Sequence, residues 1–383
     1  MRILMSEALP YDGDVRVGSH ELADRFAGDG HSVFWLGCAY HLLGLIQGAL
    51  RRPAHRAVWD GWRRGPQELR PRLWAYHPVS VLPYRDRAGF RSSFVLHNSL
   101  RFTMPPLARI LDQHRFRDPD LLWLSQGPNS AAIAGRVRAA RTAFRISDRY
   151  EDFSGTPPSA VQAERRLLEK ADVIFATARP LLDALPAAVR AKAHLLPNGV
   201  DLGHFRPPER PTTEPEDLRP IPRPRAVFTG TLAEWVDLDL VAAVATRMAG
   251  VSFLLIGPVR TKRPIRSLPG NVHLLGPRSY ADLPRYLHHA DAGIIPFVKS
   301  RRTDAVSSNK LYQYFAAGLP VVATRLKEME RLRPPVLFAD SAEPFADCLK
   351  DALAGGTREE FLSFAEANTW ESRYEIVKQA LAS

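Results

Sequence analysis

The run from Ser307 to Thr324 (SSNKLYQYFAAGLPVVAT) places a helix start, a helix stop and a buried strand within eighteen residues. Ser308 or Asn309 suits an N-cap, Gly318 can take the left-handed position that ends a helix, and Pro320 blocks continuation before Val321 to Ala323. The first N–H groups of such a helix have no partner within it and attract anions. Lys310 and Gln313 fall one turn apart on one face. The chemistry suggested is that of a cradle for a nucleoside diphosphate. An ordinary capped helix in an α/β domain would read the same way, and these residues alone leave both readings open.

The elements that must position this run are legible as apolar segments. Ile3 to Met5, Val33 to Gly37, Leu121 to Ser125, Val173 to Ala176 and His194 to Leu196 alternate with helical stretches such as Glu21 to Ala27 and Ala160 to Lys170. Ala226 to Thr229, Phe253 to Ile256, Val272 to Leu274, Ala292 to Pro296, Pro320 to Ala323 and Val336 to Phe338 repeat the alternation. Strands separated by helices imply parallel sheets, and here two Rossmann-like α/β halves. Between them, residues 207–224 hold seven prolines in eighteen positions and read as a linker. The expected organisation is a domain over 1–206, the linker 207–224, a second domain over 225–369, and a helix over 370–383 that can return to the first domain.

Ligands of doubly wound sheets bind beyond the carboxyl ends of strands. That rule selects Asp12 to Gly18, Ser125 to Asn129 and Ser147 to Asp152 in the first half. In the second it selects Gly230-Thr231-Leu232, Gly257-Pro258, Pro296 to Lys299 and the run at Ser307. None contains G-x-G-x-x-G or G-x-x-x-x-G-K-S/T, which argues against nicotinamide dehydrogenases and P-loop enzymes.

Composition bounds the rest. With 45% hydrophobic and 24% charged residues the 383-residue chain is globular, and no stretch of eighteen apolar residues suggests a transmembrane helix. Met1 to Glu7 turns polar too soon for a signal peptide, and Cys38 and Cys348 fall in different halves, so a cytoplasmic location is expected. The net charge of +11 is concentrated: residues 51–117 hold 14 Arg and no Lys against Asp60, Glu68, Asp86 and Asp112, a local net of 14 − 4 = +10. Trp59, Trp62, Trp74, Tyr76, Tyr84, Phe90, Phe94 and Phe102 are interleaved with them. His41 to Gly65 begins with leucines and turns basic, as a segment lying in a membrane interface would. An anionic membrane surface is therefore an expected partner; nucleic acid is not expected, because no nucleic-acid motif accompanies the charge. A solvated arginine face is the simpler alternative.

Gly30-His31-Ser32-Val33, Leu195 to Asp201 (LLPNGVD), Thr229-Gly230-Thr231 and Lys310 to Thr324, in this order over two Rossmann-like halves, resemble the GT-B class of nucleotide-sugar glycosyltransferases. The resemblance implies a GT-B fold with a cleft between the two domains. The retaining members carry E-x7-E, but those positions are Ala305 and Gln313 here. Asn309 to Tyr314, Arg16-x-x-x-His20 and Ser147-Asp148 look more like the inverting glucuronosyltransferase of xanthan assembly.

That resemblance implies a general base at Asp148 and acceptor-side roles for Arg16, His20 and Asp152. It implies donor binding by Gly230, Thr231, Leu232, Phe297, Ser308, Asn309, Lys310, Leu311 and Gln313. The substrates implied are a UDP-sugar and a saccharide or polyprenyl-diphosphate-linked acceptor. No metal and no other cofactor are expected. For Asp148 a helix cap or an arginine partner is the plainer role, for Phe297 core packing, and for His20 a satisfied surface histidine. A retaining enzyme with a degenerate E-x7-E and a non-catalytic nucleotide-sugar-binding scaffold remain alternatives.

Overall fold

The computed structural model describes residues 1–49, 53–82, 84, 89–153, 155–210, 212–261 and 268–382. Several residues of the arginine-rich stretch (Leu50, Arg51, Arg52, Arg85, Asp86 and Arg87) and Pro211 lie outside them. The chain divides into two compact units, Met1–Leu196 with Ile376–Ser383, and Pro197–Glu375.

In the first unit, the strands in chain order are β1 (Arg2–Ser6), β2 (Ser32–Leu36), β3 (Tyr40–His41), β4 (Gln67–Arg70), β5 (Leu73–Tyr76), β6 (Val79–Ser80), β7 (Thr103–Met104), β8 (Leu121–Ser125), β9 (Arg141–Ile146), β10 (Val173–Ala176) and β11 (Ala193–Leu195). The main sheet runs β11-β10-β9-β8-β1-β2-β5-β4. It is parallel except for the edge pair β4–β5, and Ile3 aligns with Val33 on one side and Leu121 on the other. Ile3, Leu4, Met5, Val33 and Trp123 are fully buried, because helices cover both faces of a parallel sheet and its central strands must be apolar throughout. Since β2 and β8 flank β1 on opposite sides, the strand order reverses between β1 and β8. At that switch point adjacent strand ends deliver Glu7, Gln126 and, from β9, Ser147 and Asp148.

Strand β9 (RTAFRI) lacks a continuous apolar run, because Arg141, Thr142 and Arg145 interrupt it, yet Arg145 is buried. A second, three-stranded sheet, β3-β6-β7, is too short to show a period in the sequence. The Gly18–Gly28 and Pro158–Lys170 helices lie where the helical stretches were expected, each longer by a few residues.

The second unit continues with β12 (Arg225–Thr229), β13 (Ser252–Ile256), β14 (Val272–Gly276), β15 (Ala292–Ile295), β16 (Val321–Ala323) and β17 (Val336–Phe338), arranged β14-β13-β12-β15-β16-β17 and parallel throughout. Its switch point lies between β12 and β15, whose ends carry Gly230 and Phe297. The Pro-rich stretch is not a free linker. Leu218 and Ile221 are buried in this unit's core, and the Arg225 guanidinium donates to the carbonyls of both, to Leu218 at 2.7 Å and to Ile221 at 2.5 Å. The first unit ends at Leu196 rather than 206, and the segment that follows packs on the second unit, in whose core Val200 and Phe205 are buried. The Trp370–Ala382 helix begins in the second unit, and its last residues count with the first, where Arg141 Nη1 donates to the Leu381 carbonyl at 2.5 Å.

Candidate functional site

In the second unit the Asn309–Ala316 helix starts where the sequence places it. Gly318 ends it at φ 77° and Tyr314 anchors it: the Thr229 N–H donates to the Tyr314 hydroxyl at 2.8 Å. Gly293 admits the Tyr314 ring, which would stand 2.3 Å from a Cβ at that position. Asn198 sets the helix start from outside. Its N–H donates to Ser307 Oγ at 3.0 Å and its Nδ2 to the Ser307 carbonyl at 2.6 Å, while Arg373 Nε donates to the Asn198 carbonyl at 3.2 Å. The Pro197-Asn198-Gly199 segment is thereby part of the cradle's scaffold, a role that its spacing in the sequence does not disclose.

Ser308 occupies the N-cap position without using its side chain as a cap. Its Oγ and Asn309 Oδ1 are buried and have no hydrogen-bond partner among the described residues, an arrangement that costs free energy unless a ligand completes it. Lys310 Nζ stands 5.3 Å from the Phe228 ring centroid and 5.4 Å from that of Phe297. Among the described residues no carboxylate pairs with it, and burial pulls its pKa down to about 8. The ammonium is poised beside two aromatic rings and still lacks an anion.

The turn after β12 separates the expected donor contacts. Gly230 has φ 130°, and its N–H is taken by the Ile256 carbonyl at 2.7 Å. The Leu232 N–H is taken by Pro258 at 2.9 Å, its carbonyl accepts from Arg260 at 2.8 Å, and its side chain is in the core. Leu232 therefore has its N–H engaged within the fold and its side chain in the core. Leu311 is likewise a core side chain. Thr231 is half-buried, and neither its N–H nor its hydroxyl is engaged among the described residues. Gln313 is also half-buried with an unengaged side-chain amide. Phe297 is buried at the end of β15 as one of the two rings beside Lys310, so its first role is packing.

In the first unit Gln126 organises the carboxyl ends of the strands. Its Oε1 accepts from the N–H groups of Ser147 at 2.8 Å and Asp148 at 2.9 Å; its Nε2 donates to the Asp148 carbonyl at 2.9 Å and to Glu164 Oε1 at 3.0 Å. Arg145 lies buried beneath, with Nη1 donating to Ser147 Oγ at 2.9 Å. Burial lowers the Arg145 pKa, and the charges of Glu7 and Asp148 oppose that shift. Glu7 accepts from Ser125 Oγ at 2.8 Å and is pushed up to about 7 by burial, which outweighs Ser125, Arg145 and Ser19. Glu164 is pushed up to about 7 for the same reason. Asp148 is half-buried at this focus of perturbed groups, where an acid–base residue is expected.

The other first-unit candidates do not join it. Arg16 Nη2 donates to Asp24 at 2.6 Å and Nε to Glu21 at 3.3 Å. Burial disfavours its charge, but Glu21 and Asp24 more than offset this and raise its pKa. His20 is fully buried: Nδ1 accepts from the Val17 N–H at 3.1 Å, so Nε2 donates to the Pro10 carbonyl at 3.0 Å. Burial lowers its pKa and keeps it neutral. Both residues brace the loop before the first helix rather than present groups to an acceptor. Asp152 is exposed in a single 3-10 turn, Tyr150–Asp152, and has no part in the Gln126 cluster. Sequence reasoning reached the Ser125 to Asn129 loop but gave Gln126, Glu7 and Glu164 no role; the only available signal was their nearness to strand ends.

Two units with parallel sheets, each with polar residues gathered at its switch point, have the GT-B glycosyltransferase fold. Residues 223–354 match the family described as glycosyl transferases group 1. A Bacillus subtilis (strain 168) protein, assigned provisionally as a teichuronic acid biosynthesis glycosyltransferase, is 28% identical over 188 residues, or 46% of each chain. The matched part thus spans about half the length of that relative. Among solved structures, sucrose-phosphate synthase from Thermosynechococcus elongatus superposes with a TM-score of 0.71 at 14% identity, covering 100% of this chain and 98% of that one. Anabaena HepE in complex with UDP-glucose gives 0.65 at 13% identity, covering 100% and 99%.

Proposed function

We propose that this protein is a glycosyltransferase of the hexosyltransferase type, moving a sugar from a nucleotide sugar to a hydroxyl of a saccharide or lipid-linked acceptor in polysaccharide biosynthesis. The observation that carries the reading is Lys310, a half-buried cation that pairs with no carboxylate among the described residues, at a helix start whose Ser308 and Asn309 side-chain oxygens are likewise unpartnered there. A diphosphate satisfies the cation and the free helix N–H groups together, and a departing nucleoside diphosphate develops the negative charge that such a site stabilises. Thr231 and Gln313 supply further open polar groups at the same switch point. Uridine is the favoured base, supported by the UDP-glucose complex of HepE.

In this reading Asp148 removes the proton from the acceptor hydroxyl as it attacks the anomeric carbon opposite the nucleotide, which inverts the configuration. Gln126 holds the Ser147–Asp148 backbone in place, and Arg145 holds the Ser147 hydroxyl. Lys310 and the helix N–H groups provide the leaving-group stabilisation without a metal. Ala305 is fully buried and Gln313 carries no charge, so neither position offers the carboxylates of a retaining pair. The first test is a thermal-shift screen of UDP-, GDP- and dTDP-sugars on the full chain, followed by NMR of the transferred product. A UDP-sugar should raise Tm and yield an inverted anomer. No shift with any donor would overturn the nucleotide-sugar reading; a retained anomer would overturn the role of Asp148 alone.

A further inference from the structure

Of the 14 large apolar side chains exposed among the described residues, eight fall between positions 43 and 104: Leu43, Ile46, Leu69, Val81, Phe90, Phe94, Phe102 and Met104. Sixty-two positions of 383 thus carry more than half of the exposed apolar groups, and they overlap the stretch whose local net charge is +10. Scattered exposed leucines need no explanation, but this concentration does.

The segments that bear Leu43, Ile46, Val81, Phe102 and Met104 are joined in space, and the Ser93–Asn98 helix with Phe94 packs on the Ser99–Phe102 turn. The Leu42–Ala49 and Pro53–Arg64 helices pack on each other, and the first also touches β3. Strand β3 pairs with β6 and β6 with β7. Trp62 Nε1 donates to the Met104 carbonyl at 2.5 Å, and the Val81 N–H to the Phe102 carbonyl at 3.0 Å. The Leu42–Ala49 helix buries Leu45 and leaves Leu43, at 61% exposure, and Ile46 in solvent. Phe94 is the most exposed of the group at 69%. Arg56, Arg63, Arg64 and Arg101 are exposed on the same segments, opposed there by the exposed Asp60. Trp59 and Trp62 pack with ring centroids 5.1 Å apart, each only half-buried.

We propose that this face docks on an anionic phospholipid bilayer, with Leu43, Ile46, Phe94, Phe102 and Met104 entering the headgroup–acyl boundary and the arginines meeting lipid phosphates. Apolar groups alone would fit a protein partner, and arginines alone would fit nucleic acid; the two interleaved, with half-buried tryptophans, fit an interface that is apolar on one side and anionic on the other. Among the described residues no helix is long and apolar enough to cross a membrane, so the attachment lies on the surface. The proposal stands whether or not the protein transfers sugar.

The test is flotation of the full chain with vesicles of phosphatidylglycerol in phosphatidylcholine, beside phosphatidylcholine alone. The protein should float with the anionic vesicles at low salt, lose part of that binding at high salt, and stay unbound with the neutral ones. Leu43→Ser/Phe94→Ser and, separately, Arg63→Glu/Arg64→Glu should each lower the partition coefficient at least about tenfold. Circular dichroism and UDP affinity should stay as in the wild type, because the substituted side chains are in solvent. Absence of binding at low salt, or variants that float like the wild type, would overturn the proposal. So would release of the protein from anionic vesicles by competing duplex DNA, or a dimer by light scattering that both variants abolish.

Discussion

The Cβ that alanine would add at Gly230 stands 2.8 Å from Lys310 Cε and 2.9 Å from its Nζ. The glycine is there because a lysine side chain crosses directly over it. Gly230→Ala therefore displaces the ammonium and places a side chain at φ 130°, a strain of roughly 1–3 kcal/mol. UDP affinity measured by calorimetry should fall at least about tenfold, as it should for Lys310→Ala, each loss corresponding to about 1.4 kcal/mol or more. Unchanged affinity in both would remove the diphosphate from this site.

Lys310 also sets a pH dependence. With its pKa lowered to about 8 in the empty site, the ammonium that attracts the diphosphate is lost as pH rises through that value. UDP affinity should decline between about pH 7 and 9, and Lys310→Met should bind weakly with a flatter profile. The sign for stability is opposite. The folded pKa lies below the ordinary 10.5, so the unfolded chain binds more protons between about 8 and 10.5, and this group's contribution to stability rises over that window. Denaturation of the empty wild type against Lys310→Met across it checks the direction.

Asp148→Asn keeps the shape of the residue and removes the base. Turnover at saturating donor and acceptor should drop by roughly two to four orders of magnitude while UDP affinity is unchanged. Near-normal turnover would assign the proton transfer to another group.

Gln126→Leu leaves the N–H groups of Ser147 and Asp148 without their acceptor. We expect a loss of about 1–3 kcal/mol in denaturant unfolding from the stranded groups. Turnover should fall with little change in UDP affinity. A stability loss with normal turnover would make the clamp structural only.

Glu7 and Glu164 predict how the first unit responds to pH. Both are raised to about 7 by burial, so the folded state holds protons that the unfolded chain has released. Their contribution to stability is complete below about pH 4.5 and is lost as pH rises through 7. Tm should fall over that range in the wild type, and Glu7→Gln/Glu164→Gln should flatten the decline. An equal slope in the double variant would refute it.

The two Rossmann-like halves and the helix at Asn309 are decided by the sequence, because burial on both faces forces continuous apolar strands and because Gly318 and Pro320 act on their own backbone. These are local causes, and local pattern records them. Which candidate groups remain available is decided only in three dimensions. Arg16 and His20 are consumed by Glu21, Asp24, Val17 and Pro10, and the Leu232 N–H by Pro258. Gln126 gains its role from partners 21 to 38 positions away, and Asn198 from one 109 away. A hydrogen bond needs a particular donor and acceptor within about 3 Å, and no periodicity in the chain encodes that proximity. The sequence therefore named Lys310 from type and place and Asp148 through its resemblance to the inverting enzymes; folding left Lys310 with no carboxylate partner among the described residues and fixed the Asp148 backbone.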